Sequence, residues 1–313
     1  MREIKMNLEV NPIITKNYIE VYGITEHNND LKLAGLDSCN TSCQDNNFCE
    51  KMSKIPNTIC SKCYARKQLN RFKDQRKKYQ RSMSRVLTEI IPGYEIPTLQ
   101  TRNIYDVFRI ESFGELHDIS EGGLNQVINY INLIAKNPHI NFGWWTKRPN
   151  IIKAAIDMGY TIPENVNIIY SNPYINSMYE SGRKFNVNSI LNKYDFINGV
   201  FTVYTAEYAH ENHITINCGG RSCITCLNCY NAHKENVFYI NELLKWLRGK
   251  KTMKIIIAMY FDHLTNEIIN DCLIGPLEKN ALLDKISLIH DLYLNNYISG
   301  RECMHMLSAE NKI

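Results

Sequence analysis

The sequence has no long apolar run, since its longest, KIIIAMYF at 254–261, is far shorter than the roughly 20 residues that cross a bilayer. The N-terminus carries charges throughout and has no apolar core typical of a signal peptide. The net charge is only +4, which does not by itself indicate a nucleic-acid-binding protein. These absences predict a cytoplasmic protein with no membrane partner.

Internal repeats, low-complexity tracts and a linker rich in proline or glycine are also absent, so composition marks no domain boundary. Hydrophobic residues are 44% of the chain and charged residues 22%, proportions typical of a globular protein. We expect a main domain over residues 1–232 and a mostly helical C-terminal region over 233–313 that packs on it.

Cysteine is abundant instead, with eleven residues in the chain, of which nine fall in two segments. A reducing cytosol disfavours disulfide bonds, and an odd number leaves at least one thiol unpaired. Grouped cysteines in such a chain are typical of metal ligands. The first segment, 39–63, contains Cys39, Cys43, Cys49, Cys60 and Cys63, and the second, 218–229, contains Cys218, Cys223, Cys226 and Cys229.

The spacing in the second segment favours iron–sulfur over zinc. Four residues separate its first two cysteines, and the next two steps are C-x2-C. Structural zinc sites usually have two such pairs on either side of a longer loop, whereas C-x2-C-x2-C matches the ligand run of bacterial-type ferredoxins. We predict a 4Fe–4S cluster here, with zinc as the alternative metal and a metal-free structural role as a third interpretation.

The first segment has one more thiol than a tetrahedral ion or a cubane cluster uses. Its simplest interpretation is a zinc ribbon formed by the pairs Cys39/Cys43 and Cys60/Cys63. An iron–sulfur site is the other interpretation, and the residues that follow the last cysteine support it.

Strands alternate with helices in the middle of the chain. Helical periodicity predicts helices over 122–137 and 148–159. This alternation favours a parallel sheet, as a barrel or partial barrel, with chemistry at the carboxyl ends of the strands. The predicted strands are 105–112, 139–146, 165–171, 197–205 and 213–218.

The segment 66–85 is predicted to be a helix with nine basic residues against one acid, Asp74. Such a face suits contacts with nucleic-acid phosphates. A merely solvated helix face explains the charges equally well. Nucleic acid is accordingly a predicted partner.

The stretch CSKCYAR at 60–66, followed by the basic helix, resembles the end of the cluster motif of radical SAM enzymes, especially the spore photoproduct lyase branch. NFGWWTKRPNII at 141–152 and IPENVNIIYSNP at 162–173 resemble stretches of phage relatives of that branch. RIESFGELHD at 109–118 lies where the family has its second-strand acidic element. Residues 36–232 resemble the phage gene product 88 family most closely, which implies the cytoplasm of a bacterium or a phage-infected cell.

The resemblance implies a fold of the α/β class, a radical SAM-like partial β/α barrel with cysteine-rich metal-binding loops. It also implies a 4Fe–4S cluster on three thiolates, S-adenosylmethionine on the fourth iron, and an electron donor that reduces the cluster. Cys60 and Cys63 match the last two ligands of such a cluster. The third ligand is Cys39, Cys43 or Cys49.

The resemblance further implies a cofactor pocket at the strand ends. Glu115 matches the acidic residue beside the methionyl amine, and Gly114 allows the backbone to approach closely. Tyr64 matches the aromatic residue after the last cysteine. The remaining candidates for this pocket are Glu111, Lys147, Ser171 and Tyr204.

The predicted function is therefore an iron–sulfur protein that cleaves S-adenosylmethionine reductively and acts on a nucleic acid or a nucleotide. Two alternatives stay open. One is a zinc-stabilised nucleic-acid-binding protein without catalysis. The other is an iron–sulfur protein whose cluster is structural or senses redox state.

Overall fold

A computed structural model gives the fold, and the chain divides into two compact units. The first unit contains the residues up to Ser171 together with Leu191–Gly199 and Leu227–Val237. The second contains Asn172–Ile190, Val200–Cys226 and the residues from Phe238 onward. The structure describes residues 21–24, 37–99, 106–177, 187–219, 223–231, 236–244 and 276–294, and the single positions 261, 265, 303 and 306.

Six strands occur in the described residues, and they form one sheet in the order β1-β2-β3-β4-β5-β6. β1 and β6 are the two edges of this sheet, so the sheet is open. The predicted α/β class is confirmed, and the sheet does not close into a barrel. The strands are β1 (Ser38–Cys39), β2 (Val107–Ile110), β3 (Asn141–Thr146), β4 (Val166–Ser171), β5 (Gly199–Tyr204) and β6 (Phe238–Leu243).

Helices connect these strands, and none that the structure describes is long and apolar enough to cross a membrane. Short 3-10 turns lie at Cys60–Lys62, Gly93–Glu95 and Ile119–Glu121. The helices are α1 (Asn47–Ser53), α2 (Tyr64–Arg71), α3 (Lys73–Thr88), α4 (Gly123–Lys136), α5 (Pro149–Asp157), α6 (Val187–Lys193), α7 (Ala206–Glu211), α8 (Cys223–Cys226) and α9 (Pro276–Leu294).

The strands β1 to β4 are parallel neighbours, as predicted for β2 to β4. Ile110 pairs with Trp144, and Trp144 pairs with Ile168. Because side chains alternate along a strand, these three lie on one face, and all are buried in the main hydrophobic core. The opposite face carries Arg109, whose guanidinium carbon lies 4.3 Å from the ring centroid of Trp145.

Helices α4 and α5 confirm the predicted helices in these places. Val127, Ile131 and Ile134 recur at helical spacing in α4 and are buried against the sheet. Pro149 lies in the first turn of α5, where a missing N–H costs no helical hydrogen bond. Gly159 follows the end of α5 with a left-handed φ of 96°.

The basic segment 66–85 forms two helices, which corrects the predicted single helix. α2 ends at Arg71, and α3 begins at Lys73. Between them Phe72 has φ −107° and ψ 83°, outside the helical region. The backbone N–H of Phe72 still donates to Gln68 O at 2.8 Å, so the chain turns only after the last bond of α2 is made.

The sixth strand is β6 and not the predicted strand over 213–218. That segment runs beside β6, and the two meet in an isolated bridge between Cys218 and Glu242. Asparagine side chains take the place of a regular ladder, since Asn217 Oδ1 accepts from Asn241 N at 2.8 Å. β6 also lies inside the region that was expected to be mostly helical.

The rest of the C-terminal region is described only in part. α9 is a long helix in this region, as predicted. The run KIIIAMYF lies outside the described residues except for Phe261, so its alternative interpretation as a strand stays a prediction.

Candidate metal centre at the carboxyl ends of the strands

The loops that follow β1 and β2 are joined to each other at the carboxyl edge of the sheet. Cys43 N donates to Phe113 O at 2.9 Å, and Phe113 N donates to Asn40 Oδ1 at 3.0 Å. Asn46 accepts from Cys49 N and so caps α1, while its amide donates to Glu115 O at 3.0 Å. These bonds fix the first cysteine segment above the strand ends.

Four cysteines of the first segment converge in one place, which we name the four-thiol site: Cys43, Cys49, Cys60 and Cys63. Cys43, Cys49 and Cys60 are buried, and Cys63 is half-buried. Cys43 and Cys49 pack in one apolar group with Cys63 against it, and Cys49 lies within electrostatic reach of Cys60 and Cys63. The thiols come from a loop, from α1 and from both ends of the short turn before α2.

The fifth cysteine, Cys39, lies apart from the four-thiol site. It ends β1 and is buried in the main hydrophobic core. The Cys39 thiolate would interact electrostatically with Tyr22 and Glu111. The other four cysteines interact electrostatically with one another. The structure thus separates the extra thiol that the sequence could not assign.

The four thiols differ in how readily they lose a proton. Burial raises the pKa of Cys49 and of Cys60. The neighbouring Cys43 thiol, acting as a hydrogen-bond donor, lowers the pKa of Cys63, and the backbone amides of Arg66 and Ala65 at the start of α2 lower it further. The neighbouring Cys63 and burial together raise the pKa of Cys43.

A buried ion pair borders the four-thiol site. Glu115 is 2% exposed, and Lys147 Nζ lies 3.4 Å from its Oε2. Glu115 also accepts hydrogen bonds from Lys147 N at 3.0 Å, Thr146 Oγ1 at 2.6 Å and Leu116 N at 3.0 Å. Burial opposes the charge of Lys147, but Glu115 and then Cys60 raise its pKa. Each oxygen of Glu115 is therefore already bonded.

The other acidic candidate, Glu111, is buried in a polar network of neutral side chains. It accepts hydrogen bonds from Thr41 Oγ1 at 2.9 Å, Gln126 Nε2 at 2.8 Å and Tyr130 OH at 2.5 Å. Burial raises the pKa of Glu111 to about 7, and these hydrogen bonds limit the rise. A Cβ at Gly114 would clash with Glu111 and Thr41, so this glycine serves the packing of that network.

The remaining predicted residues have varied positions. Tyr64 is 54% exposed, and its hydroxyl donates to Ser112 O at 3.1 Å while its ring contacts Phe113 edge-on. Ser171 is the last residue of β4 and Tyr204 the last of β5, and both are buried. They belong to different units, so a shared pocket stays a prediction for them.

The second cysteine segment is described only around a gap at 220–222. Cys223 is exposed and begins α8, and Cys226 ends it. Cys229 belongs to the first unit, where Asn167 Nδ2 donates to its carbonyl at 3.2 Å. Whether the four cysteines of this segment share a metal stays a prediction from their spacing.

Two arginines donate hydrogen bonds to the loops that border the four-thiol site. Arg66 Nη1 donates to Cys43 O at 3.1 Å, and Arg148 Nη1 donates to Leu116 O at 3.1 Å while its guanidinium lies over the ring of Phe48. Arg148 is also ion-paired with Asp118. Gln126 of the Glu111 network was missed, and its polar side chain on the apolar face of α4 is the periodicity signal that could have found it.

The donor set suits a metal that prefers sulfur, because four cysteines converge in a buried place beside a cation. Among the described residues, no three His, Cys, Asp or Glu side chains are grouped closely enough to hold a single ion as they stand. Four thiolates around one zinc ion have sulfur atoms only about 3.8 Å apart. A 4Fe–4S cluster is larger, and its ligands stand farther apart.

Fold and site together define an α/β protein that places a buried group of thiols at the carboxyl ends of parallel strands. The model of the gene product 88 family matches residues 13–239, and the chain belongs to this family. This confirms that part of the resemblance, while the relation to radical SAM enzymes stays a prediction. Comparison with curated proteins gave no match, and neither did comparison with solved structures.

Proposed function

We propose that this protein is an iron–sulfur protein whose four-thiol site holds a 4Fe–4S cluster. The observation that carries the proposal is the convergence of Cys43, Cys49, Cys60 and Cys63 from separate backbone segments. A single buried cysteine is ordinarily a small apolar residue. Four of them gathered from separate segments beside a buried ion pair are not explained by packing alone, whereas soft metals prefer thiolate ligands.

When bound, a cluster of this kind supplies one-electron transfer and cross-links the segments that carry its ligands. Here it would tie the β1 loop, α1 and the start of α2 together, and thiolate–metal bonds contribute folding free energy. An electron donor is the partner that a redox role requires. A reducing cytoplasm, in a bacterium or a phage-infected cell, suits these thiols best.

S-adenosylmethionine does not fit this site as the residues stand. The amino group of that cofactor would need Glu115, whose two oxygens already accept four hydrogen bonds, two of them from Lys147. An open iron also requires three ligands, whereas four thiols converge here. A fourth thiol this close competes for the open position at high effective concentration.

We propose a second metal centre at Cys218, Cys223, Cys226 and Cys229 on the basis of their spacing alone. The C-x2-C-x2-C run supports iron–sulfur, and zinc is the alternative. Single alanine variants of Cys223 and Cys226 should lower the metal content without affecting the four-thiol site.

The direct test of the proposed function is anaerobic purification followed by iron, sulfide and zinc analysis and a visible spectrum. A brown protein with iron and acid-labile sulfide is the expected result. A colourless protein with stoichiometric zinc would overturn the proposal in favour of the zinc alternative.

Nucleic-acid binding is a second candidate function. It is favoured by the exposure of basic residues on α2 and α3, which lie directly on the four-thiol site.

A further inference from the structure

Helices α2 and α3 present two chemically different faces. The inner face contributes Ala65, Leu69 and Tyr79, which are buried together with Cys43 and Cys49 in one apolar group. Phe113 also packs against this group, and its ring lies 5.8 Å from that of Tyr79. The inner face is therefore a wall of the four-thiol site.

Some of the basic residues in these helices serve the fold. Arg66 donates to Cys43 O, and Arg76 Nε donates to Asp45 Oδ2 at 3.0 Å in the same loop. Lys78 donates to Ile24 O, and Arg85 is paired with Glu89 and Glu95. These four side chains are only partly exposed.

The other five basic residues are exposed and form what we name the outer basic face: Lys67, Arg71, Lys73, Lys77 and Arg81. The acid within this stretch is Asp74. The side of the two helices that faces water is therefore predominantly basic. A surface of this kind attracts a polyanion.

An exposed aromatic ring lies within the outer basic face. Phe72 stands at the break between the two helices and is 49% exposed. The guanidinium carbon of Arg71 lies 5.3 Å from the centroid of its ring. An open cleft of about 480 Å³ at this break is lined by Arg71, Phe72, Lys73, Asp74 and Gln75. Nucleobases stack on rings of this kind, and phosphates pair with the cations around them.

We propose that the outer basic face binds single-stranded nucleic acid and that this binding depends on the metal in the four-thiol site beneath it. The first part rests on charge and on Phe72, since a base can reach an exposed ring only from an unpaired strand. The dependence rests on the proposed function: the helices that carry the outer face form the wall of the metal site. Loss of the thiolate–metal bonds would loosen α2 and so change the position of Phe72 relative to the basic residues of α3.

The test measures binding of a fluorescent mixed-sequence oligonucleotide by anisotropy, as single-stranded DNA, single-stranded RNA and duplex DNA. The metal-loaded protein should prefer the single strands. With five cations in contact, the logarithm of the affinity should fall with the logarithm of the salt concentration with a slope of about 3.5. Protein whose metal has been removed by a chelator under reducing conditions should bind more weakly.

Two variants test the face itself. Phe72→Ala should weaken binding by about 5- to 150-fold, the effect of losing one stacked base. The double variant Lys73→Glu with Lys77→Glu should bind more weakly than the parent protein. Its salt slope should be smaller by about 1.4, since two phosphate contacts disappear. The matched control, Lys153→Glu with Lys193→Glu, reverses two solvent-accessible charges of the same unit, on α5 and at the end of α6, and should leave binding unchanged.

The possible failures are distinguishable. Metal-loaded protein that does not bind oligonucleotide, or that loses equal affinity in the control variant, would overturn the proposed surface. Equal binding with and without metal would overturn the dependence. A preparation that contains no metal after reconstitution would instead overturn the proposed function, whatever the oligonucleotide does.

Discussion

Lys147 Nζ lies 3.4 Å from Glu115 Oε2, and the two residues follow neighbouring parallel strands, β3 and β2. The pair is almost removed from water, with 17% of the lysine side chain and 2% of the glutamate side chain exposed. The ammonium group of Lys147 thus occupies the place beside Glu115 where the radical SAM resemblance implies the amino group of S-adenosylmethionine. This pair is the main reason to separate the proposed cluster from S-adenosylmethionine chemistry.

Replacing the lysine alone should be costly. Lys147→Met leaves Glu115 buried beside the thiols without its cation, and breaking a buried pair in this way costs about 3–5 kcal/mol. Urea denaturation of the anaerobic protein measures the effect. Lys147→Met combined with Glu115→Gln should recover part of the loss, with a coupling of about 0.5–3 kcal/mol. Strictly additive effects would show that the two charges do not depend on each other.

The Glu111 network predicts a pH dependence of stability. Its pKa is raised from 4.5 to about 7, so the folded protein binds a proton that the unfolded chain has already lost in this range. The contribution, on the order of 3 kcal/mol, is therefore fully present below pH 4.5 and is lost as the pH rises through 7.

Glu111→Gln tests this origin, because the amide cannot ionise. The free energy of unfolding of the variant, measured between pH 4.5 and 7.5, should have a flatter slope than that of the parent protein. An identical slope in the two proteins would assign the pH dependence to other groups.

Gly114 should tolerate no side chain. A Cβ there would clash with the Glu111 carboxylate and the Thr41 hydroxyl, and overpacking of this kind costs about 1–3 kcal/mol. Gly93 is the matched control, since nothing lies within 4 Å of a Cβ built at that position. Thermal unfolding should show a lower midpoint for Gly114→Ala than for Gly93→Ala. Equal midpoints would mean that the loop at Gly114 moves without cost.

Much of the fold could be predicted because the sheet and its helices follow strong local patterns. In β3 the alternation that places Trp144 in the core and Trp145 on the other face is visible in the sequence, and Pro149 and Gly159 mark the ends of α5. β6 was not recognised because its sequence, FYINEL, has no alternation of apolar and polar residues. Its contacts with the predicted strand over 213–218, such as the one between Asn217 and Asn241, are visible only in the structure.

The sequence predicted that the candidate site consists of cysteines, but not which of the five cysteines belong to it. Spacing alone could not separate Cys39 from the other four, since β1 is only two residues long and has no periodicity to reveal its inward face. The roles of Glu111 and Glu115 were equally hidden. Each depends on partners far along the chain, Gln126 and Tyr130 for the first and Lys147 for the second.

The central claim is that four particular cysteines, and not the fifth, bind one iron–sulfur cluster. The most direct test is the iron and sulfide content of anaerobically reconstituted single variants, with Cys39→Ala as the control. Cys43→Ala, Cys49→Ala, Cys60→Ala and Cys63→Ala should each lose up to about four iron atoms per chain relative to the parent, and Cys39→Ala should lose none. Equal loss in the control, or no loss in any of the four, would contradict the account.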